Sequence, residues 1–172
     1  MKYGNFKYGG GKYGISATLI FDRTEEDVAY AKNQLKKRLE DFTPEEVTEY
    51  LIGYKGAYNA GDLNRIGAAL EMIRGILQNE KYQLDVSPKT DWKNSDFPDY
   101  EKTQVIINDI KNIRNSIPFF PNTPLSPESM NNLDHKKAND IEKILYDFNI
   151  LINNMIISFV QSGELYAGET SN

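Results

Sequence analysis

The residues best placed to do chemistry crowd around the single tryptophan, where Asp91, Asn94, Asp96 and Asp99 flank Trp92. Hard oxygen ligands of this kind can hold calcium, but the spacing lacks the turn glycine and closing bidentate glutamate of an EF-hand loop. Carboxylates beside a tryptophan also suit glycan hydrolysis, one acid donating a proton while a second attacks or activates water. Against both stands the composition of the stretch QLDVSPKTDWKNSDFP (83–98), which is that of a turn-rich connection. Its acids are expected to cap turns, and Trp92 to plug one end of a helical core. His135 is the only histidine and there is no cysteine, which excludes histidine triads, multi-histidine metal sites, disulfides and thiolate zinc sites. With Asp134, Lys136 and Lys137 around it, His135 reads as a solvated residue at a helix start. Gly9–Gly14 spells G-x-G-x-x-G, but the dinucleotide fingerprint needs a strand before it and a helix after it, and here a strand-like segment follows. Gly11-Lys12 does not open a phosphate loop, because Phe6 and Tyr13 occupy the positions where a glycine and a hydroxyl residue are needed. No residue is assigned to catalysis, to a cofactor or to a metal, and the chain is expected not to be an enzyme.

A different signal lies in the opening MKYGNFKYGGGKYGIS, where Lys-Tyr-Gly recurs at residues 2–4, 7–9 and 12–14. A helix would rotate successive tyrosines by about 140° and is disfavoured by the glycines. In extended chain, five residues advance roughly 16–17 Å and turn the side chain to the opposite face. Tyr3, Tyr8 and Tyr13 would then point alternately to two sides, as anchors of an arm threaded between surfaces. Tyrosine offers apolar area and a polar tip with little rotamer entropy to lose, and the following glycine lets backbones approach. Lys2, Lys7 and Lys12 fit a charged rim. Ile15, Ala17, Leu19 and Phe21 then alternate with Ser16 and Thr18, the pattern of a short half-buried strand. No later segment offers a clear partner strand, so this one either adds to another chain's edge or lies as extended peptide on the helices. The candidate partner-binding set is Lys2, Tyr3, Lys7, Tyr8, Lys12, Tyr13, Ile15, Leu19 and Phe21.

Charge supports this division. Residues 1–21 carry three lysines and no acid, whereas the remainder holds 17 basic and 25 acidic residues, for a whole-chain net charge of −5. A basic arm on an acidic body suits an acidic protein partner, including the body of another copy. Nucleic acid is not expected, since three lysines give few phosphate contacts against a repelling body. The N-terminus has no apolar signal core, and the most apolar run, Ile150 to Val160, is broken by Asn153 and Asn154. A soluble chain without membrane insertion is expected.

The elements that must position these residues read as helices. Thr24-Glu-Glu-Asp27 has capping-box spacing, followed by a stripe of Val28, Ala31, Leu35, Leu39 and Phe42. Thr43-Pro-Glu-Glu46 starts a second helix expected to run to about Tyr54 and stop near Gly56. A third is capped by Asp62, with Leu63, Ile66, Leu70, Ile73 and Leu77 on one face and Gly67 and Gly75 as expected close helix contacts. Ile106, Ile110, Ile113 and Ile117 mark a fourth. PFFPNTPLSPES (118–129) is a stiff connection expected to hold one turn at Ser126-Pro127. The last and longest helix spans about 134–161, on Ile141, Leu145, Phe148, Ile152, Met155 and Phe159, and Ser162-Gly163 stops it. The expectation is an all-α, about five-helix antiparallel bundle over residues 22–163, an extended docking arm over 1–21 with a short strand, and a tail over 164–172.

Five segments, DRTEEDV (22–28), KGAYNAGDLNR (55–65), KTDW (89–92), ANDIEKIL (138–145) and SGELYAGE (162–169), carry a family resemblance in this order along nearly the whole chain. The chain resembles small helical proteins encoded in the tail-structure gene clusters of phages and prophages of Gram-positive, especially clostridial, bacteria. The resemblance implies a non-enzymatic virion component at the distal tail, at the baseplate or tail-fibre attachment, without cofactor and made in the host cytoplasm. It implies as partners other tail, baseplate or fibre proteins and copies of the chain itself in a symmetric assembly. Two other classes are compatible with the residues: a cell-wall glycan-binding module using the Trp92 loop, and a cytosolic phage adaptor.

Overall fold

The computed structural model describes residues 19–79, 82–96 and 99–163, with side chains described through 158. Among these residues the protein is all-helical, with five α-helices and no strand, and 61% of the residues are helical. The helices are α1 (Glu25–Gln34), α2 (Pro44–Ile52), α3 (Ala60–Asn79), α4 (Tyr100–Ser116) and α5 (His135–Gly163), with a 3₁₀ turn at Leu39–Asp41.

The core belongs to three of them. Ile66, Leu70 and Ile73 of α3, Ile107, Ile110 and Ile113 of α4, and Ile141, Leu145 and Phe148 of α5 are all fully or almost fully buried. Each set recurs every three to four residues, so one face of each helix closes on the others. Alpha-helix α5 packs against both α3 and α4. Ile117 caps the end of α4 and packs on the same core from its edge. By contrast α2 has no buried residue, and α1 buries only Ala31 and Gln34.

Local signals place most helix starts. Thr24 and Thr43 each accept from the amide three residues on, and Asp27 and Glu46 return the bond to the cap amide, so both capping boxes are formed. Asp99 caps α4 through the Lys102 amide at 2.8 Å, and Asp134 accepts from the Lys137 amide at 2.8 Å at the start of α5. Three expectations shift. The α3 cap is Asn59, whose Oδ1 accepts from the Gly61 amide at 2.7 Å, while Asp62 reaches back to the Asn59 amide at 2.8 Å. Helix α1 ends at Gln34, where Lys36 and Lys37 bond back only three residues, leaving Leu35 and Leu39 of the expected stripe 55% and 63% exposed. Helix α2 ends at Ile52, two residues short of Tyr54, because Gly53 adopts φ 97° and turns the chain. No helical turn forms at Ser126-Pro127. Turns close instead between Phe120 and Thr123 and between Met130 and Leu133, the second through Asn132 at φ 51°.

The two α3 glycines are not alike. A Cβ at Gly67 would lie 2.0 Å from the Lys89 carbonyl oxygen, so the tryptophan-bearing connection, not a helix, passes over it. At Gly75 nothing lies within 4 Å, which overturns its reading as a close contact. Gly67→Ala is therefore expected to destabilise despite alanine's better helix propensity. Gly75→Ala should stabilise by about 0.5–1 kcal/mol. Urea unfolding of the two variants checks the opposite signs, and a shared sign contradicts the close passage at Gly67.

The expected strand is corrected where it can be seen. Leu19, Ile20 and Phe21 form no strand and lie against α5, the extended-peptide alternative; Ile15 to Thr18 fall outside the described residues.

Candidate functional site

The acids around Trp92 resolve into caps and pairs. Asp91 pairs with Lys89, Asp96 accepts from the Lys93 amide at 3.0 Å, and Asp99 caps α4 and pairs with Lys102 at 2.9 Å. Trp92 is only 5% exposed and belongs to the core, and Asn64 of α3 clamps its backbone, accepting from the amide at 2.7 Å and donating to the carbonyl at 2.9 Å. Its ring is therefore a core filler, with Lys89 Nζ 5.0 Å from the ring centroid. Among the described residues no group of three or more His, Asp or Glu is arranged to hold a metal ion. His135 opens α5.

A cleft of about 190 Å³ between α3, α4 and residues 87–92 is lined mainly by Leu63, Ile66, Leu70, Trp92 and Ile106. Asp109 stands at its wall, and both its oxygens accept from the Ser87 amide at 3.1 Å. Burial raises the Asp109 pKa above its ordinary value, against the lowering effect of that amide. The carboxylate tethers the loop to α4.

The most elaborate polar site was not expected from the sequence. Arg23 is 4% exposed, and its guanidinium donates to Asp62 at 2.8 Å, Glu142 at 2.7 Å, the Lys55 carbonyl at 3.1 Å and the Ile20 carbonyl at 2.5 Å. Arg65 donates to both oxygens of Glu142 at 2.9 Å and also to Asp62. Glu142, fully buried, accepts in addition from the Ile20 amide at 2.5 Å. Two cations and two anions balance. Burial lowers the Arg65 pKa, but hydrogen bonding and charge from Glu142 and Asp62 outweigh it and raise the value. Tyr58 lies under the Arg23 guanidinium, 5.6 Å from ring centroid to carbon, and its pKa is raised by burial first and then by the two carboxylates. Every carboxylate oxygen of Asp62 and Glu142 is engaged by a donor, so the cluster acts as a clamp. It holds residues 20–23, α3 and α5 together. Arg23, Asp62 and Glu142, from three segments far apart in the sequence, meet at this one point.

Of the expected partner-binding residues, Lys2, Tyr3, Lys7, Tyr8, Lys12, Tyr13 and Ile15 lie outside the described residues. Leu19 is half-buried against the core. Phe21 meets Tyr146 with ring centroids 4.9 Å apart, under Lys143 at 5.9 Å. Both therefore contact their own chain, and the root of the arm is fixed to α5.

A second feature missed from sequence is a broad groove of about 920 Å³. One wall is the end of α2 with Gly53 and Tyr54, the floor is residues 58–61 with Leu63 and Asn64, and the other walls come from Trp92, Asp96, Tyr100, Met130 and Leu133. Its rim is apolar and uncovered: Leu51 is 77% and Ile52 80% exposed, beside Leu35 and the half-exposed Tyr50. Tyr54 Oη, Tyr58 Oη and Trp92 Nε1 have no hydrogen-bond partner among the described residues, and all three residues border the groove. Burial raises the Tyr54 pKa, with Glu49 and Glu46 adding to it. The sequence held a signal for the rim. Tyr50-Leu51-Ile52 are consecutive, and at about 100° per residue they cannot share one buried face.

Acid should loosen the caps in a defined direction. The amides of Lys102 and Lys137 hold Asp99 and Asp134 below their ordinary value of 3.8. With the folded pKa lowered, the unfolded chain takes up protons first, so this stabilisation is full above the ordinary value and is lost as pH falls below it and through the lowered folded value. Asn can cap without titrating. The fall in melting temperature from about pH 5 to pH 3 should be smaller in Asp99→Asn/Asp134→Asn than in the natural sequence, and equal falls would contradict the assignment.

The chain matches no protein-family model, no curated protein and no solved structure.

Proposed function

We propose that the protein is a non-enzymatic structural component of a bacteriophage tail, at the distal end where baseplate or fibre is attached. It assembles with other tail proteins and with copies of itself through its N-terminal arm. The observation that supports an assembly role is the groove rim, where Leu51 and Ile52 are about four-fifths exposed beside the exposed Tyr50 and Tyr100 and the partly buried Met130. Aromatic residues and Met are the types enriched at protein interfaces, and a contiguous uncovered apolar surface marks an interaction site. The saturated Arg23–Glu142 clamp adds a fixed base for the arm. The tail assignment itself comes from the family resemblance.

A protein inventory of tail particles from the phage or prophage that encodes the chain tests this. The expected result is the chain present at a fixed ratio to other tail proteins, with no hydrolysis of host cell-wall polysaccharide by the purified protein. A chain found only free in the host cytoplasm would favour an adaptor. Hydrolysis abolished by Asp91→Asn or Asp99→Asn would establish an enzyme instead.

A further inference from the structure

We propose that the cleft between α3, α4 and the tryptophan connection is a binding site for a small, neutral, apolar molecule the size of a single ring. The inference does not depend on the assembly reading above.

The walls of this cleft are fixed before anything binds. Residues 84–92 cross α3 and α4 and are tied down at several points. Asn112 donates to the Asp85 carbonyl at 2.8 Å, and Asp109 accepts from the Ser87 amide. The Lys89 carbonyl lies on Gly67, and Asn64 bonds both the amide and the carbonyl of Trp92. Val86 and Trp92, 7% and 5% exposed, anchor the crossing in the core. The cleft of about 190 Å³ is bordered by Pro88 and Trp92 of this crossing and by Leu70, Val105 and Ile106 of the helices. A site held in this way needs little further ordering on binding.

The chemistry of the walls selects the class of ligand. Three charged side chains border the cleft, and each is engaged: Asp109 with the Ser87 amide, Lys89 with Asp91, and Lys102 with Asp99 at 2.9 Å. Most of the remaining wall is aliphatic, with the Trp92 ring. Water against such a wall lacks the about two to four polar partners that hold a buried water, and replacing poorly held water by an apolar group gains affinity. A sugar would instead press hydroxyl groups against hydrocarbon, at a desolvation cost. Size follows from volume. An apolar cavity of about 150 Å³ is enough to take up benzene. The 190 Å³ here admit one such ring.

Trp92 is the only tryptophan, so its emission reports on the cleft without a label. Benzene titrated into the full chain should change that emission saturably. At about five times the dissociation constant so measured, it should raise the melting temperature by about 2–4 °C. Inositol, a ring of similar size covered with hydroxyl groups, should do neither. Trp92 also borders the broad groove, so a second measurement fixes the place. Bound benzene should show nuclear Overhauser contacts to the methyl groups of Leu70, Val105 and Ile106, which line the cleft and not the groove. Val105 is 42% exposed, so a larger side chain can be carried there without disturbing the core. Val105→Phe brings a ring to the cleft and should weaken benzene binding about tenfold or more, whereas Val105→Ala should keep it. No saturable response up to the solubility limit of benzene would overturn the inference. So would a response to inositol in its place, contacts to Leu51 and Ile52 of the groove, or undiminished binding by Val105→Phe.

Discussion

Glu142→Gln should destabilise the protein by about 3–5 kcal/mol, although it changes neither the size nor the shape of the side chain. Glu142 is completely buried and accepts from Arg23, Arg65 and the Ile20 amide. Removing its charge leaves two guanidinium groups, Arg23 buried and Arg65 partly exposed, facing the single carboxylate of Asp62. The cost is that of an uncompensated buried cation, which is larger than the net worth of the pair. A domain of ordinary stability has only about 5–15 kcal/mol in total, so the change should be plain in urea unfolding. Replacing Arg23, Arg65, Asp62 and Glu142 together by apolar residues of similar volume should cost far less than the single change, because no charge is then stranded. If Glu142→Gln costs less than about 1 kcal/mol, the cluster is not the clamp described here.

The other large effect should come from the core. Phe148 is fully buried at the centre of α5 and meets the Phe119 ring at 5.6 Å, with Arg114 stacked on the far partner at 4.6 Å from its centroid. Phe148→Ala is expected to cost about 3–5 kcal/mol, through lost transfer energy and the cavity left behind. It should also release Phe119, and with it the connection between α4 and α5, which would show as faster amide exchange over residues 119–133. Leu51→Ala, at a position 77% exposed, should stay within about 0.5 kcal/mol of the natural sequence. Similar costs at both positions would contradict the division between core and rim.

The stripes of α3, α4 and α5 were legible because each repeats over several turns and little else produces that period. The capping boxes at Thr24 and Thr43 were legible because the reciprocal bonds need only four adjacent residues. Leu35 and Leu39 misled for a related reason: the apolar spacing continues after the α1 backbone has stopped being helical. The alternation around Leu19 is met, at the described residues 19–21, by peptide lying on α5, with Leu19 turned to the core and the Ile20 amide taken by a side chain. The clamp was hidden because its members are 119 residues apart at the extremes, and pairing at such separation leaves no local pattern. Glu142 alone gave a hint, as a charge between Ile141 and Ile144 on an otherwise apolar face. Asp109 gave the same hint between Ile106 and Ile110. At the groove, no stretch of sequence shows which exposed side chains from α2, the tryptophan connection and residues 130–133 will converge.

The central claim is assembly through the arm, and the structure refines where the arm must be cut. Leu19 to Arg23 belong to the packed body, so removal should stop at residue 18 and spare the Ile20 contact with Glu142. The most direct measurement is incorporation into tail particles of the full chain against a chain starting at Leu19, expressed in turn in a host whose own copy is deleted. The account predicts that the shortened chain melts at nearly the same temperature as the full chain yet is missing from, or strongly depleted in, purified particles. Equal incorporation of the two chains would contradict it.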